Sequence, residues 1–188
     1  MRPTITDSEM AERIIKAFAN CFGCEHDTQL LGGASEPLYM PASAVCPAVL
    51  FFREDYPASA LHEVAHWCIA GASRLELEDF GYGYIPGPRS AQQQADFFDL
   101  ELRAQCLESV FALALGIEFR PSADNFSTNT DEFSWALEAY KPMLEEWLST
   151  LPGRRARHFI EALHQVKRVL ATKQTAGDSI LNDPGRVR

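Results

Sequence analysis

The chain has 188 residues, of which 46% are hydrophobic, and its formal net charge is −9 at pH 7 with a pI near 5.0. These values predict one globular domain with a single core, since no long linker or break in composition indicates a second domain. The acidic balance argues against direct nucleic-acid contact or an anionic membrane as the main partner, because such contacts depend on Lys and Arg. The beginning of the chain lacks an apolar run, so we predict a soluble, cytoplasmic protein.

The first fifty residues predict a helix followed by short strands. Apolar residues at helical spacing follow Asp7 or Ser8, either of which can cap the helix. Apolar pieces at 30–31 and 36–41, separated by Gly and Pro, predict two strands. A third apolar stretch contains Pro47, which indicates an edge strand or a strand that begins after the proline.

The five cysteines predict no disulfide framework. Their number is odd and their positions are scattered among apolar residues, which favours reduced, buried thiols. Cys21 and Cys24 form a C-x-x-C at the end of a predicted helix, without a preceding strand or a second C-x-x-C. We therefore expect neither a redox nor a zinc role for this pair.

The most informative stretch, residues 60–71, contains the spacing H-E-x-x-H. His62 and His66 are four residues apart, so on an α-helix both imidazoles project from one face and can bind one ion. Glu63 lies beside them and can act as a base on a metal-bound water or orient a ligand. Ser59 is a candidate cap for this helix. The alternative is an amphipathic helix with two surface histidines, but the apolar neighbours favour partly buried histidines that need partners.

An aromatic segment follows, which we predict to be extended. Phe80, Tyr82 and Tyr84 alternate with glycines, so their rings would form a wall on one side of a slim backbone. The pattern fits a substrate wall and a core strand equally well.

Ser90 starts a polar, glutamine-rich run that is predicted to become helical through Phe97 and to end near Gly116. Any of the acids on or just before this helix could supply a third metal ligand. Sequence spacing does not choose among them, because most acids on a helix face water. Four acids lie on or just before this helix: Asp96, Asp99, Glu101 and Glu108.

Two further helices complete the predicted domain. Asp131 or Ser134 opens the first, which Pro142 should kink. The second is amphipathic, and the polar composition after it predicts a tail. We expect a single catalytic domain over 1–173 and a disordered tail over 174–188.

An H-E-x-x-H helix with a downstream glutamate is typical of zinc peptidases, in which Glu63 would deprotonate water. Two histidines and one carboxylate also form the metal site of non-haem iron oxygenases. The ligand types suit both metals, so they do not separate iron from zinc.

Longer matches favour the oxygenase. The chain resembles the elongation factor P hydroxylase family, bacterial enzymes that hydroxylate the β-lysyl-lysine of that translation factor. The matching segments lie between roughly residues 14 and 165. They are 36–41, 58–71, 79–84, Arg89, 91–92 and 97–105, with weaker matches at 124–125 and 156–163.

This resemblance implies that His62, His66 and Glu101 bind Fe(II), with dioxygen as cosubstrate; zinc or another divalent ion could replace iron in a crystal. Ala104 stands where the family pattern has a proline, which could shift Glu101 and leaves Asp99 as a second candidate ligand. The implied fold is a compact α+β domain, with a small mixed sheet flanked by helices, that resembles a metal-dependent bacterial endoribonuclease.

The implied function is hydroxylation of the β-lysylated lysine of elongation factor P, in which Glu63 would hydrogen-bond a ligand or the substrate. The substrate is cationic, so its charge could be bound by acids and its aliphatic part covered by a tyrosine ring. The alternatives are a zinc-dependent metallopeptidase or other hydrolase, and a closed structural ion. The candidate substrate-binding residues are Glu36, Asp79, Asp99, Tyr82 and Tyr84.

Overall fold

The computed structural model describes residues 5–81, 90–122 and 130–181. Within these ranges the chain is α+β, with a three-stranded mixed sheet and flanking helices, as predicted. The strands are β1 (Thr28–Ala34), β2 (Leu38–Met40) and β3 (Ala48–Arg53). The α-helices are α1 (Asp7–Phe22), α2 (Pro57–Ile69), α3 (Ala91–Leu115), α4 (Thr130–Ser149) and α5 (Arg154–Leu181).

The sheet has the strand order β1-β3-β2, with β3 parallel to β1 and antiparallel to β2. Leu30, Leu50 and Phe52 point to the buried face of the sheet. Pro47 lies immediately before β3, which confirms a strand that begins after the proline. The alternative of an edge strand was wrong, because β3 is the central strand of the sheet. Pro47 lies outside β3, so each residue of the strand keeps a backbone N–H that can pair with a neighbouring strand.

The N-cap of the first helix lies before both predicted caps. Thr6 Oγ1 accepts a hydrogen bond from the Glu9 backbone N–H at 3.2 Å, and the Glu9 carboxylate accepts from the Thr6 N–H at 2.8 Å. This reciprocal capping box makes Thr6 the N-cap, instead of Asp7 or Ser8, which lie inside the first turn.

The α2 helix lies at the centre of the fold and contacts β3, α1, α3 and α5. Tyr56 is its N-cap and Pro57 occupies its first turn. Ser59 is not the cap, since its hydroxyl accepts a hydrogen bond from the Arg53 N–H at 3.0 Å. The helix is apolar on most sides, so its few polar side chains must find partners within the protein. Its buried residues are Ala60, Leu61, Val64, Ala65, Trp67 and Cys68.

The segment between α2 and α3 was predicted to be extended, but its described part is a series of turns that ends in a 3-10 helix over Glu78–Gly81. Phe80 is buried and stacks on Tyr39, with ring centroids 4.4 Å apart. It therefore belongs to the core. The other two residues of the predicted aromatic wall, Tyr82 and Tyr84, lie outside the described residues.

The end of α3 matches the prediction, and the helix begins directly after Ser90. Ser90 and Gln93 form a capping box at its start, and Gly116 ends it with φ of +86°, a left-handed conformation that glycine adopts without strain. At the other end of the chain, α4 continues through Pro142, and α5 extends eight residues beyond residue 173 into the predicted tail.

All five cysteines are free. Cys21, Cys68 and Cys106 are buried, whereas Cys24 and Cys46 are exposed, so the expectation of buried thiols holds for three of them. No helix in the described part of the chain is long and apolar enough to cross a membrane.

Candidate metal centre

Packing of α2 against α3 brings two histidines and one glutamate together. The Nε2 atoms of His62 and His66 lie 3.0 Å apart. Glu101 on α3 places Oε2 3.5 Å from His62 Nε2 and Oε1 3.2 Å from His66 Nε2. Among the described His, Cys, Asp and Glu residues, these three form a group that could hold a metal ion.

The spacing of these atoms fits a bound ion. Neighbouring ligands that each lie about 2.1 Å from a tetrahedral or octahedral ion are about 3.0 to 3.4 Å from each other. The two Nε2 atoms, 3.0 Å apart, lie in this range, and each of them lies 3.2 or 3.5 Å from a different oxygen of the Glu101 carboxylate. Two imidazoles and a carboxylate suit either iron or zinc. The side chains are largely buried, with exposed fractions of 24% for His62, 14% for Glu101 and 11% for His66.

A second acid of α3 holds one of the histidines. Glu108 Oε2 lies 2.9 Å from His62 Nδ1, and Glu108 is 8% exposed. When His62 is neutral and its Nδ1–H donates to this carboxylate, the lone pair lies on Nε2, on the side of His66 and Glu101. Glu108 was one of four acids predicted to be a possible third ligand. Glu108 lies seven residues after Glu101, which is about two helical turns, so both acids project from the same face of α3. This spacing is the feature of the sequence that indicates the supporting contact.

The charges of the group depend on one another. Burial alone would lower the pKa of His62, but the Glu108 hydrogen bond and the nearby carboxylates raise that pKa to about 9. Burial alone would raise the pKa of Glu101, but its hydrogen bond to His66 and the histidine charges lower it to about 2. Without a metal ion, the Glu101 carboxylate is therefore stabilised first by His66, through its hydrogen bond and charge, and then by the charge of His62.

Glu63, the central acid of the H-E-x-x-H spacing, is half-buried beside this group. Burial raises the pKa of its carboxyl; the two histidine charges oppose this rise, and the charges of Glu101 and Asp79 add to it. Glu63 thus lies within electrostatic range of both the histidines and Asp79.

Asp79 is positioned by an unusual turn. Its Oδ1 accepts a hydrogen bond from the Tyr39 N–H at 2.9 Å. Asp79 and Phe80 both adopt left-handed backbone conformations, with φ of +46° and +57°. Such conformations cost about 1–3 kcal/mol each in residues other than glycine, so the contacts with Tyr39 must hold the turn in place.

Asp99 and Glu36, which were also predicted to take part in the site, do not belong to the group that could hold a metal ion. Asp99 is exposed, and its position two residues before Glu101 places it about 200° away around α3. The geometry therefore favours Glu101 over Asp99 as the third ligand. Glu36 is exposed in the turn between β1 and β2.

Comparison with known proteins identifies the family of the chain. The profile of a family described as elongation factor P hydroxylase matches residues 17–176 of the chain. The elongation factor P lysine hydroxylase of Haemophilus influenzae is 44% identical over 119 residues, which cover 63% of this chain and 67% of that protein. The family match extends over most of the chain, including the helices that carry His62, His66 and Glu101. The chain belongs to the elongation factor P hydroxylase family.

Proposed function

We propose that the chain is a metal-dependent hydroxylase that acts on the β-lysylated lysine of elongation factor P. Family membership supports the reaction and the protein substrate. The observation that carries the proposal is the convergence of His62, His66 and Glu101 between α2 and α3 in a chain of this family.

Iron is the metal that we propose for this centre. The Nε2 atoms of His62 and His66 and the carboxylate of Glu101 would hold it, as the separations of these atoms permit. An iron ion with two histidines and one carboxylate supplies the oxidation of a C–H group by dioxygen. The Glu108 carboxylate accepts a hydrogen bond from Nδ1–H of His62 and so keeps Nε2 directed at the centre.

The acids beside the centre are suited to a cationic side chain. We propose that Asp79 and Glu63 orient the ammonium groups of the β-lysyl-lysine, since the charge of Asp79 lies close enough to raise the pKa of Glu63. Glu36 and Asp99 remain candidates for attracting the cationic substrate to the surface. The rings of Tyr82 and Tyr84 remain candidates for contact with the aliphatic part of the substrate. We further propose that the enzyme works in the cytoplasm. The fold's resemblance to a metal-dependent endoribonuclease remains a prediction, which a comparison of solved structures would check.

The experiment is intact-mass analysis of elongation factor P from cells that lack this gene, cells that carry it and cells that carry the His66→Ala variant. We expect a mass gain of one oxygen atom only with the wild-type gene. The gain should also require the β-lysyl group, so elongation factor P from cells unable to add it is the matched control. Equal masses with and without the gene would contradict the hydroxylase function, and a shortened elongation factor P would indicate a peptidase.

A further inference from the structure

A polar stripe runs along the face of α3 that is turned towards the metal centre, and it consists of Glu101, Gln105 and Glu108. These residues follow one another at intervals of four and three, which places them on one face of the helix. Glu101 and Glu108 contact the histidines of α2 directly. Gln105 lies between them and is only 4% exposed. A buried amide without hydrogen-bond partners costs about 1–3 kcal/mol, so the partners of Gln105 indicate its role.

The side chain of Gln105 joins a candidate metal ligand to the backbone of another segment. Its Oε1 accepts a hydrogen bond from the Ser122 N–H at 3.0 Å, and its Nε2 donates to the Ser122 carbonyl at 2.9 Å. The second Nε2 proton is directed to Glu101 Oε2 at 3.4 Å. The orientation of the amide is unambiguous, because a backbone N–H only donates and a carbonyl only accepts.

The contact restricts the rotation of the Glu101 carboxylate. The terminal torsion of a glutamate is broad and roughly two-fold, so a helix alone does not set the plane of the carboxylate. Here Oε2 is held between Gln105 Nε2 and His62 Nε2, while Oε1 faces His66 Nε2. Gln105 in turn cannot rotate without breaking two hydrogen bonds to Ser122.

We propose that Gln105 is a positioning residue, which orients the Glu101 carboxylate towards the metal ion and ties that orientation to the backbone at Ser122. This inference rests on the metal centre proposed above. Partners of metal ligands in other proteins typically contribute 10–100-fold to metal affinity or activity, and Gln105 should contribute in the same range.

The test uses the Gln105→Met variant of the full chain with Co(II) as the probe, because the visible spectrum of Co(II) reports the geometry of its ligands. We expect Gln105→Met to bind Co(II) about 10–100-fold more weakly than the wild type and with an altered spectrum. Thr28→Val is the matched control: Thr28 is a buried polar residue of β1, and its hydroxyl donates to the His26 carbonyl. This control should lose some thermal stability and keep the wild-type affinity and spectrum.

A Gln105→Met variant with the wild-type affinity and spectrum would overturn the inference and leave the metal centre standing. A wild-type chain that binds no Co(II) would overturn the centre itself, and the role of Gln105 with it. Should the variant fail to fold, the wild type provides a second readout. Addition of Zn(II) should shift the NMR signals of the Gln105 side-chain amide, and unchanged signals would also overturn the inference.

Discussion

Single residues decide which chemistry the centre can perform. Three ligand side chains from the protein leave coordination positions open, which an oxygenase requires and a closed structural site lacks. Glu63 is the residue for which the candidate functions differ most. In a peptidase its carboxylate would be the base that deprotonates water, whereas in the proposed hydroxylase it orients a ligand or the substrate.

Glu63→Gln should therefore reduce hydroxylation only partly, with a larger effect on the KM for elongation factor P than on kcat. Glutamine keeps the size and hydrogen-bonding capacity of the side chain but removes its charge beside a cationic substrate. The rate of hydroxylation would be followed by mass spectrometry, with the exposed Glu138→Gln as a control for loss of one surface charge. Complete loss of activity with bound metal intact would instead support an essential base at position 63.

Metal affinity should increase with pH between about 7 and 9. The raised pKa of His62, about 9, means that its proton is bound below that pH and must leave before Nε2 can hold an ion. Glu101, with a pKa of about 2, is already ionised and releases no proton in this range. The affinity should thus rise about tenfold per pH unit and level off above 9. Competition with a chelator of known affinity would measure it, and a flat profile from 7 to 9 would contradict a proton on His62.

At the scale of elements, the orientation of α2 determines where both histidines point. Arg155 of α5 donates hydrogen bonds from Nη2 to the carbonyls of Cys68 and Ala70 at the end of this helix. Its guanidinium also lies over the Trp67 ring, 4.4 Å from the ring centroid. A cation at a helix C-terminus is favourable, because the carbonyls there lack partners within the helix. Arg155 thus anchors the last turn of the metal-binding helix to α5.

Replacement of Arg155 by Met should lower the free energy of unfolding by about 2–4 kcal/mol, since the carbonyls of Cys68 and Ala70 lose a charged donor. Methionine retains much of the aliphatic packing. Urea unfolding would measure the change, and Arg168→Met, an exposed position on the same helix, is the matched control. Equal stability of the two variants would show that Arg155 does not anchor α2.

At the scale of the whole molecule, the centre connects parts of the chain that are distant in sequence. Glu101 lies thirty-five residues beyond His66, and an ion held by both would join α2 to α3. The α2 helix also contacts α1, α5 and strand β3. The α3 helix also contacts α4 and α5. Metal binding should therefore stabilise the whole fold as well as the site.

Saturation with a divalent metal should raise the Tm by about 5–11 °C. An ion at about 100 times its Kd adds about 2.7 kcal/mol to the stability, and each kcal/mol shifts the Tm of a chain of this size by about 2–4 °C. Differential scanning calorimetry of metal-loaded and chelator-treated protein would measure the shift. The His66→Ala variant should show almost none, and an equal shift in that variant would place the stabilising ion elsewhere.

The sequence by itself determined the features that depend on local spacing. The four-residue interval between His62 and His66 follows from the helical repeat, and Gly116 correctly indicated where α3 ends. Resemblance to the family, carried by long residue matches, supplied the reaction and the substrate, and both comparisons agree with it.

Resemblance to the family implied Glu101, but residue spacing did not choose among the acids of α3, and the tertiary structure shows where each one lies. Asp96, Asp99, Glu101 and Glu108 are equivalent by residue type, and only the packing of α3 on α2 brings Glu101 to the histidine Nε2 atoms and Glu108 to His62 Nδ1. The central place of β3 and the turn that holds Asp79 were likewise decided by pairing with distant residues. The physical reason is the same in each case: hydrogen bonds and packing between residues far apart in the chain leave no periodic trace in the sequence.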